Sequence, residues 1–392
     1  MPPVAPAARR RVWTHRPDGG ERVHSRIRQI QQLGQAVWID YISRELLRSG
    51  RLDQLIAEGV TGMTSNPTIF QKAIAGGREY DEDVRAAWRD SASDPYAAYE
   101  SVAIRDICDA ADALRPVYDA THGRDGFVSM EVNPKLADDT AGTIAEARRL
   151  HTRVARPNLM VKVPATSAGL PAIATLIGEG VNVNVTLIFS LSMHEAVMRS
   201  YIEGLRRLQR SGRPIDGVAS VASFFISRVD SLVDKLLAAR PSGPATAGLA
   251  GRAAIANAKL AYARFREIFG GTEFADLRAA GARVQRPLWA STSTKNPAYS
   301  PTLYVDTLIG PHTVNTLPPA TLEELRKPGV VAQTIEQGLD EARDVLARLA
   351  ALGVDMGAVT DQLLADGLKL FVDSFDELLA DVERKGAALA GA

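Results

Sequence analysis

Val181-Asn182-Val183-Asn184-Val185-Thr186 opens the stretch that decides the fold. Its valines alternate with polar residues, which is the period of two of a β-strand. Met193–Gln209 follows with apolar residues three and four apart and predicts a helix. Gly217-Val218-Ala219-Ser220-Val221-Ala222-Ser223 returns to a short strand-like run, and Ile226–Ala239 is helical again. Strand, helix, strand, helix in this succession reads as βα units around a parallel sheet.

Working outward, the same alternation gives strands at Ala36–Asp40, Gly62–Thr64, Phe127–Glu131 and Leu159–Val163 on one side. Leu288–Ser291 and Thr313–Thr316 lie on the other, for eight in all, the number that closes a (β/α)8 barrel. The second is short and glycine-flanked, and the eighth rests mainly on its position. Asp138–Arg153 and Arg252–Phe269 supply further helices, and Thr321–Leu352 and Thr360–Arg384 read as closing helices. Phe70–Arg115 is a helical insertion after the second strand, and the Pro/Gly/Ser/Ala-rich Arg240–Gly251 a surface excursion. The expected fold is α/β: a single (β/α)8 TIM barrel with helical insertions over residues 26–392, preceded by a flexible N-terminal tail, residues 1–25.

The 392 residues carry 46 Lys+Arg against 46 Asp+Glu. A balanced charge argues against nucleic acid or an anionic membrane as the main partner. No apolar run is long enough to span a bilayer, and the arginine- and proline-bearing N-terminus lacks the apolar core of a secretion signal. Cys108 stands alone, which excludes an intramolecular disulfide and fits a reducing, cytoplasmic setting.

In such a barrel the chemistry gathers at the C-terminal strand ends. Asp40, Asn66, Glu131, Lys162, Asn184, Thr186, Ser223 and Ser291 all fall there. Singly, each has a structural reading: a strand-end Asp, Asn or Ser is commonly a helix cap or turn residue. Lys162 is the sharpest signal, because Leu159-Met160-Val161-Lys162-Val163-Pro164 places it inside an apolar strand. Burial of a lysine disfavours its ammonium form, and a neutral amine is what carbonyl attack requires. The alternative is a packed stem whose charged head reaches the rim. Asn182, Asn184 and Thr186 share one face of their strand, a polar lining that suits substrate or water. Two carboxylates, one amine and several hydroxyl and amide groups suit proton movement around a carbonyl.

Other chemistries find no support. The six histidines, His15, His24, His122, His151, His194 and His312, include no close pair of metal-binding spacing. Neither a G-x-G-x-x-G after a strand, nor G-x-x-x-x-G-K-[ST], nor G-x-S-x-G occurs. No metal and no cofactor are expected.

At these residues the chain resembles the transaldolase family. Gly62-Met63-Thr64-Ser65-Asn66-Pro67-Thr68-Ile69-Phe70 is similar to the family's first signature. Leu159 to Leu170 is similar to the second, which is built around a Schiff-base lysine. The run Ala290 to Ser300 most resembles the longer bacterial branch, and the likeness extends from about Ala36 to Asn315. The resemblance implies a cofactor-free class I aldolase of the pentose phosphate pathway. It moves a dihydroxyacetone unit from sedoheptulose 7-phosphate to glyceraldehyde 3-phosphate, giving erythrose 4-phosphate and fructose 6-phosphate. It implies Lys162 as the imine-forming residue, Asp40 as the acid–base at the sugar hydroxyls, and Glu131 acting through a water held by Thr186. Asn66 and Asn184 would bind the dihydroxyacetone hydroxyls, and Ser223 and Arg228 the substrate and its phosphate.

The related fructose 6-phosphate aldolases have Gln where Glu131 stands and Tyr where Phe225 stands, so both positions here are of the transferase type. The family's seventh strand tends to end in a Ser followed two residues later by an Arg. This chain has Ser291-Thr292-Ser293 instead, which makes Lys295 the candidate replacement cation, or else a solvated loop lysine. A homodimer is frequent in the family. Two other readings stay open at this stage: a related enzyme of a specialised sugar-biosynthetic route, and a barrel kept as a non-catalytic scaffold.

Overall fold

The computed structural model describes residues 25–241 and 243–391. The expected tail lies outside the described residues except for Ser25, whose hydroxyl caps the first helix, Arg26–Gln32. Eight parallel strands close into a barrel in sequential order. They are β1 Gln35–Asp40, β2 Gly62–Thr64, β3 Val128–Glu131, β4 Leu159–Pro164, β5 Val183–Ile188, β6 Ser220–Phe225, β7 Arg286–Ala290 and β8 Thr313–Leu317. No helix among the described residues is long and apolar enough to cross a membrane.

The weak second strand has a steric explanation. Trp38 of β1 pairs in register with Gly62, and a Cβ on Gly62 would meet the indole at 2.4 Å. Glycine is therefore required there, and its low strand propensity is offset by the buried Trp38, whose Nε1 donates to Asp125 Oδ1 at 2.8 Å.

Several boundaries differ from the sequence expectation. β5 starts at Val183 because the Asn182 side chain acts as a bracket. Its amide donates to Pro157 and Leu159 carbonyls and its oxygen accepts from Ala219 N, so Asn182 serves the backbone and not a polar lining. β6 begins and ends later than expected, at Ser220 and Phe225, since Val218 N is taken up in a turn to Ile215 O. The stretch Thr321–Leu352 is two helices, Pro319–Leu325 and Leu339–Ala351. The break includes Lys327-Pro328-Gly329, where proline and glycine stop a helix from continuing. The insertion after β2 is three helices, Pro67–Gly76, Asp81–Asp90 and Pro95–Ala120, the last capped by Asp94.

The final helix is longer than expected, 35 residues from Met356 to Ala390. It packs along Pro67–Gly76, where Thr68 Oγ1 and Ser374 Oγ lie 2.8 Å apart. Its Gly386 sits flat on Trp88, with room for no Cβ (2.4 Å). This crossing carries Phe371 and Phe375 to the C-terminal end of the barrel.

Candidate active site

The strand register sets the site. Glu131 of β3, Lys162 of β4 and Asn184 of β5 are paired in one row across three strands. Asp40 pairs with Thr64 across β1 and β2, and Pro164 with Thr186 across β4 and β5. All lie at or near the C-terminal strand ends, and Asp40, Thr64, Lys162 and Thr186 border a cleft of about 190 Å³, whereas Glu131, Asn184 and Pro164 do not. Asp40, Asn66, Lys162, Thr186, Ser223, Phe225, Arg228, Ser291 and Lys295 line it.

Lys162 is 5 % exposed, so its charge sits in a low-dielectric wall. Its Nζ donates to the Ser65 carbonyl at 3.0 Å and lies 3.5 Å from Glu131 Oε2. The ring of Phe371 stands over it, 5.9 Å from Nζ to the centroid. Burial pushes the Glu131 carboxyl above its ordinary range, Lys162 pulls it back in part, and Asp40 adds to the rise. Asp40 is likewise raised by burial, against a hydrogen bond from Thr64 Oγ1 (2.6 Å) and the field of Lys162. Thr64 in turn contacts Thr316 Oγ1 at 2.7 Å. Two carboxylates that hold protons more tightly than usual therefore flank one amine.

The polar atoms divide into tied and untied groups. Asn184 Nδ2 donates to Ser129 Oγ at 2.9 Å and its Oδ1 accepts from Ser223 at 2.7 Å, which fixes the amide's orientation. Asn66 Oδ1 accepts from Ile69 N at 2.9 Å and caps Pro67–Gly76, so the capping reading and a place in the cleft hold together. Thr186 Oγ1 and both Glu131 oxygens are buried without a hydrogen-bond partner among the described residues. Glu131 and Thr186 line different spaces. Glu131 borders a void of about 10 Å³, the size of one water, together with Asn66 and Tyr99, whereas Thr186 faces the main cleft.

At the outer end, Arg228 lies over the Phe225 ring at 5.3 Å, and Phe225 packs on Phe189 at 5.2 Å. Burial lowers the proton affinity of Arg228. Lys295 is lowered by burial first and then by Arg228, so the two cations share a field. Lys295 donates to Ser293 Oγ at 2.7 Å. Ser291 adopts φ +55°, a left-handed backbone at the end of β7, and its hydroxyl contacts Ser227 Oγ at 2.9 Å. Ser65, Thr316 and Phe371 were not anticipated. The first acts through a backbone carbonyl, which no side-chain pattern signals, and the last arrives on a helix distant in sequence.

The profile of the Transaldolase/Fructose-6-phosphate aldolase family matches residues 37–382. The chain belongs to this family. A transaldolase of Parafrankia sp. (strain EAN1pec) is 51 % identical over 363 residues, covering 92 % of this chain and 98 % of the relative. One from Thermobifida fusca is 49 % identical, covering 93 % and 99 %, and one from Neisseria gonorrhoeae 46 %, covering 90 % and 97 %. Relatives of this name align nearly end to end with it. The chain is thus an enzyme of the transaldolase class, a transferase of aldehyde or ketone groups within a family of class I aldolases.

Proposed function

We propose that the enzyme transfers a dihydroxyacetone unit between phosphorylated sugars through an imine on Lys162. The observation that carries this reading is the buried amine of Lys162, 3.5 Å from a carboxylate whose proton affinity burial has raised. Glu131 can take a proton from the ammonium and leave a neutral nucleophile. Lys162 Nζ then adds to the C2 carbonyl of the donor, and loss of water gives the imine. With C2 as an electron sink, Asp40 removes the C4 hydroxyl proton, the C3–C4 bond breaks, and an aldehyde leaves. The remaining enamine attacks the acceptor aldehyde, Asp40 returns its proton to the new hydroxyl, and water releases the product.

Glu131 governs the water in this scheme. Its two oxygens are buried polar atoms that need hydrogen bonds, which a water in the adjoining void of about 10 Å³ would supply, while the Thr186 hydroxyl, likewise without a partner among the described residues, faces the main cleft. Asn66 presents its amide hydrogens to the dihydroxyacetone hydroxyls, and Asn184, fixed by Ser129 and Ser223 in the row beside Lys162, would offer its one remaining amide hydrogen. Arg228 and Lys295 supply positive charge for the phosphate, with Ser291 adding a neutral hydrogen bond. Phe225 and Phe371 keep the intermediate dry, which favours transfer over hydrolysis.

In this reading the donors and acceptors are sedoheptulose 7-phosphate, glyceraldehyde 3-phosphate, fructose 6-phosphate and erythrose 4-phosphate, in the cytoplasm and without a cofactor. A coupled assay with fructose 6-phosphate and erythrose 4-phosphate tests it. Transfer supports the reading, while donor cleavage without transfer would make the chain an aldolase.

A further inference from the structure

A second cavity lies at the other end of the barrel. It is bounded by Gly34, Ser220, Arg286 and His312, which stand at or beside the N-terminal ends of β1, β6, β7 and β8. At about 710 Å³ it exceeds the catalytic cleft and falls in the range of small-molecule sites.

Five arginines wall it: Arg124, Arg266, Arg278, Arg283 and Arg286. Two are balanced by carboxylates, Arg266 by Glu336 at 2.9 Å and Arg286 by Asp125 at 3.4 Å. The other three are held by backbone carbonyls. Arg124 donates to Thr121 O at 3.1 Å, Arg283 to His122 O at 2.8 Å and to Gly123 O, and Arg278 to Phe269 O. A carbonyl orients a guanidinium without cancelling its charge, and each guanidinium keeps further N–H groups for a ligand. Asp216 is near enough for its field to reach Arg283, but forms no ion pair with it among the described residues. Beside them, His312 loses proton affinity through burial first and then through Arg286 and Arg266. His312 also holds φ +59°, a strained backbone of the kind that gathers at binding sites.

Between the arginines the wall is Phe265, Phe269, Ala282 and Pro311. Such a surface suits the face of a flat aromatic ring. We propose that this cavity is a second, non-catalytic site for a small phosphorylated metabolite with two or more phosphoryl charges on an aromatic body, a nucleoside diphosphate by class. The arginines would hold the phosphoryl groups by charge-assisted hydrogen bonds, and the apolar wall the base.

Calorimetric titration of the full chain with ADP tests this, with pyrophosphate and adenosine as separate probes. One saturable ADP site is expected, with pyrophosphate weaker and adenosine weaker still. Arg124→Glu, an exposed change that leaves the fold intact, and Arg278→Gln should each weaken ADP by roughly tenfold or more, with transaldolase turnover serving as the folding control. Arg228→Ala, in the catalytic cleft, should leave the ADP affinity unchanged. No saturable uptake below about 5 mM would overturn the proposal, as would an affinity that follows Arg228→Ala and ignores Arg124→Glu. Adenosine binding as tightly as ADP would overturn the role of the arginines, and pyrophosphate doing so would overturn the aromatic body.

Discussion

Glu131 and Lys162 occupy registered positions on adjacent strands, and their charged atoms meet at 3.5 Å with side chains only 4 % and 7 % exposed. Neither charge is stable in such surroundings without the other. In the proposed mechanism the pair exchanges a proton, which would convert the ammonium into a nucleophile and leave an acid beside it.

The first expectation follows from that exchange. Glu131→Gln keeps the shape but cannot accept a proton, so kcat should fall by ~10²- to 10⁴-fold. Combined with Phe225→Tyr, it should raise the release of free dihydroxyacetone relative to transfer. Measuring both products from one donor decides the matter. If transfer and release fall by the same factor, these two positions do not control partitioning.

Asp40 gives a stability test. Burial makes the folded state bind a proton on Asp40 more tightly than the unfolded chain does. The stabilisation this brings is complete below the unfolded carboxylate range, near pH 4, and is lost as pH rises through the folded value. Asp40→Asn keeps the acceptor for Thr64 but never carries the charge. Its Tm should exceed that of the parent at pH 8, and the gain should vanish as pH falls to about 4, while activity drops ~10²-fold or more. An Asn variant no more stable than the parent at pH 8 would mean that Asp40 carries no burial penalty.

The two outer cations should differ. Arg228→Ala removes a guanidinium preorganised over Phe225 and should raise KM for phosphorylated substrates by about 2–3 kcal/mol. Lys295→Ala should cost less, because an ammonium presents a point charge without the fork. Comparing phosphorylated with unphosphorylated substrates checks this. Equal discrimination by both variants and the parent would place the phosphate elsewhere.

Phe371 covers the amine from the final helix. Phe371→Leu should cost about 1 kcal/mol of stability and increase the proportion of enamine lost to water. Unchanged partitioning would reduce Phe371 to a packing residue.

Much of this arrangement was legible in the sequence because a closed parallel barrel converts strand ends into one surface. Lys162 inside an apolar strand, and Glu131 and Asp40 at the ends of theirs, could be found from alternation alone. Asn182 was misread because alternation reports the face a residue shares and not the depth at which its strand begins. The proline break at Lys327-Pro328-Gly329 was bridged by helical spacing on both sides. Phe371 and the Ser65 carbonyl left no local signal, since one depends on where a long helix crosses and the other on backbone direction.

The most direct test of the account is trapping of the imine. Incubation with fructose 6-phosphate and borohydride should leave a reduced three-carbon adduct on the peptide that contains Lys162, read by mass spectrometry, and Lys162→Ala should abolish both adduct and turnover. An adduct on another lysine, such as Lys72 or Lys135, or full turnover with no adduct at all, would contradict it.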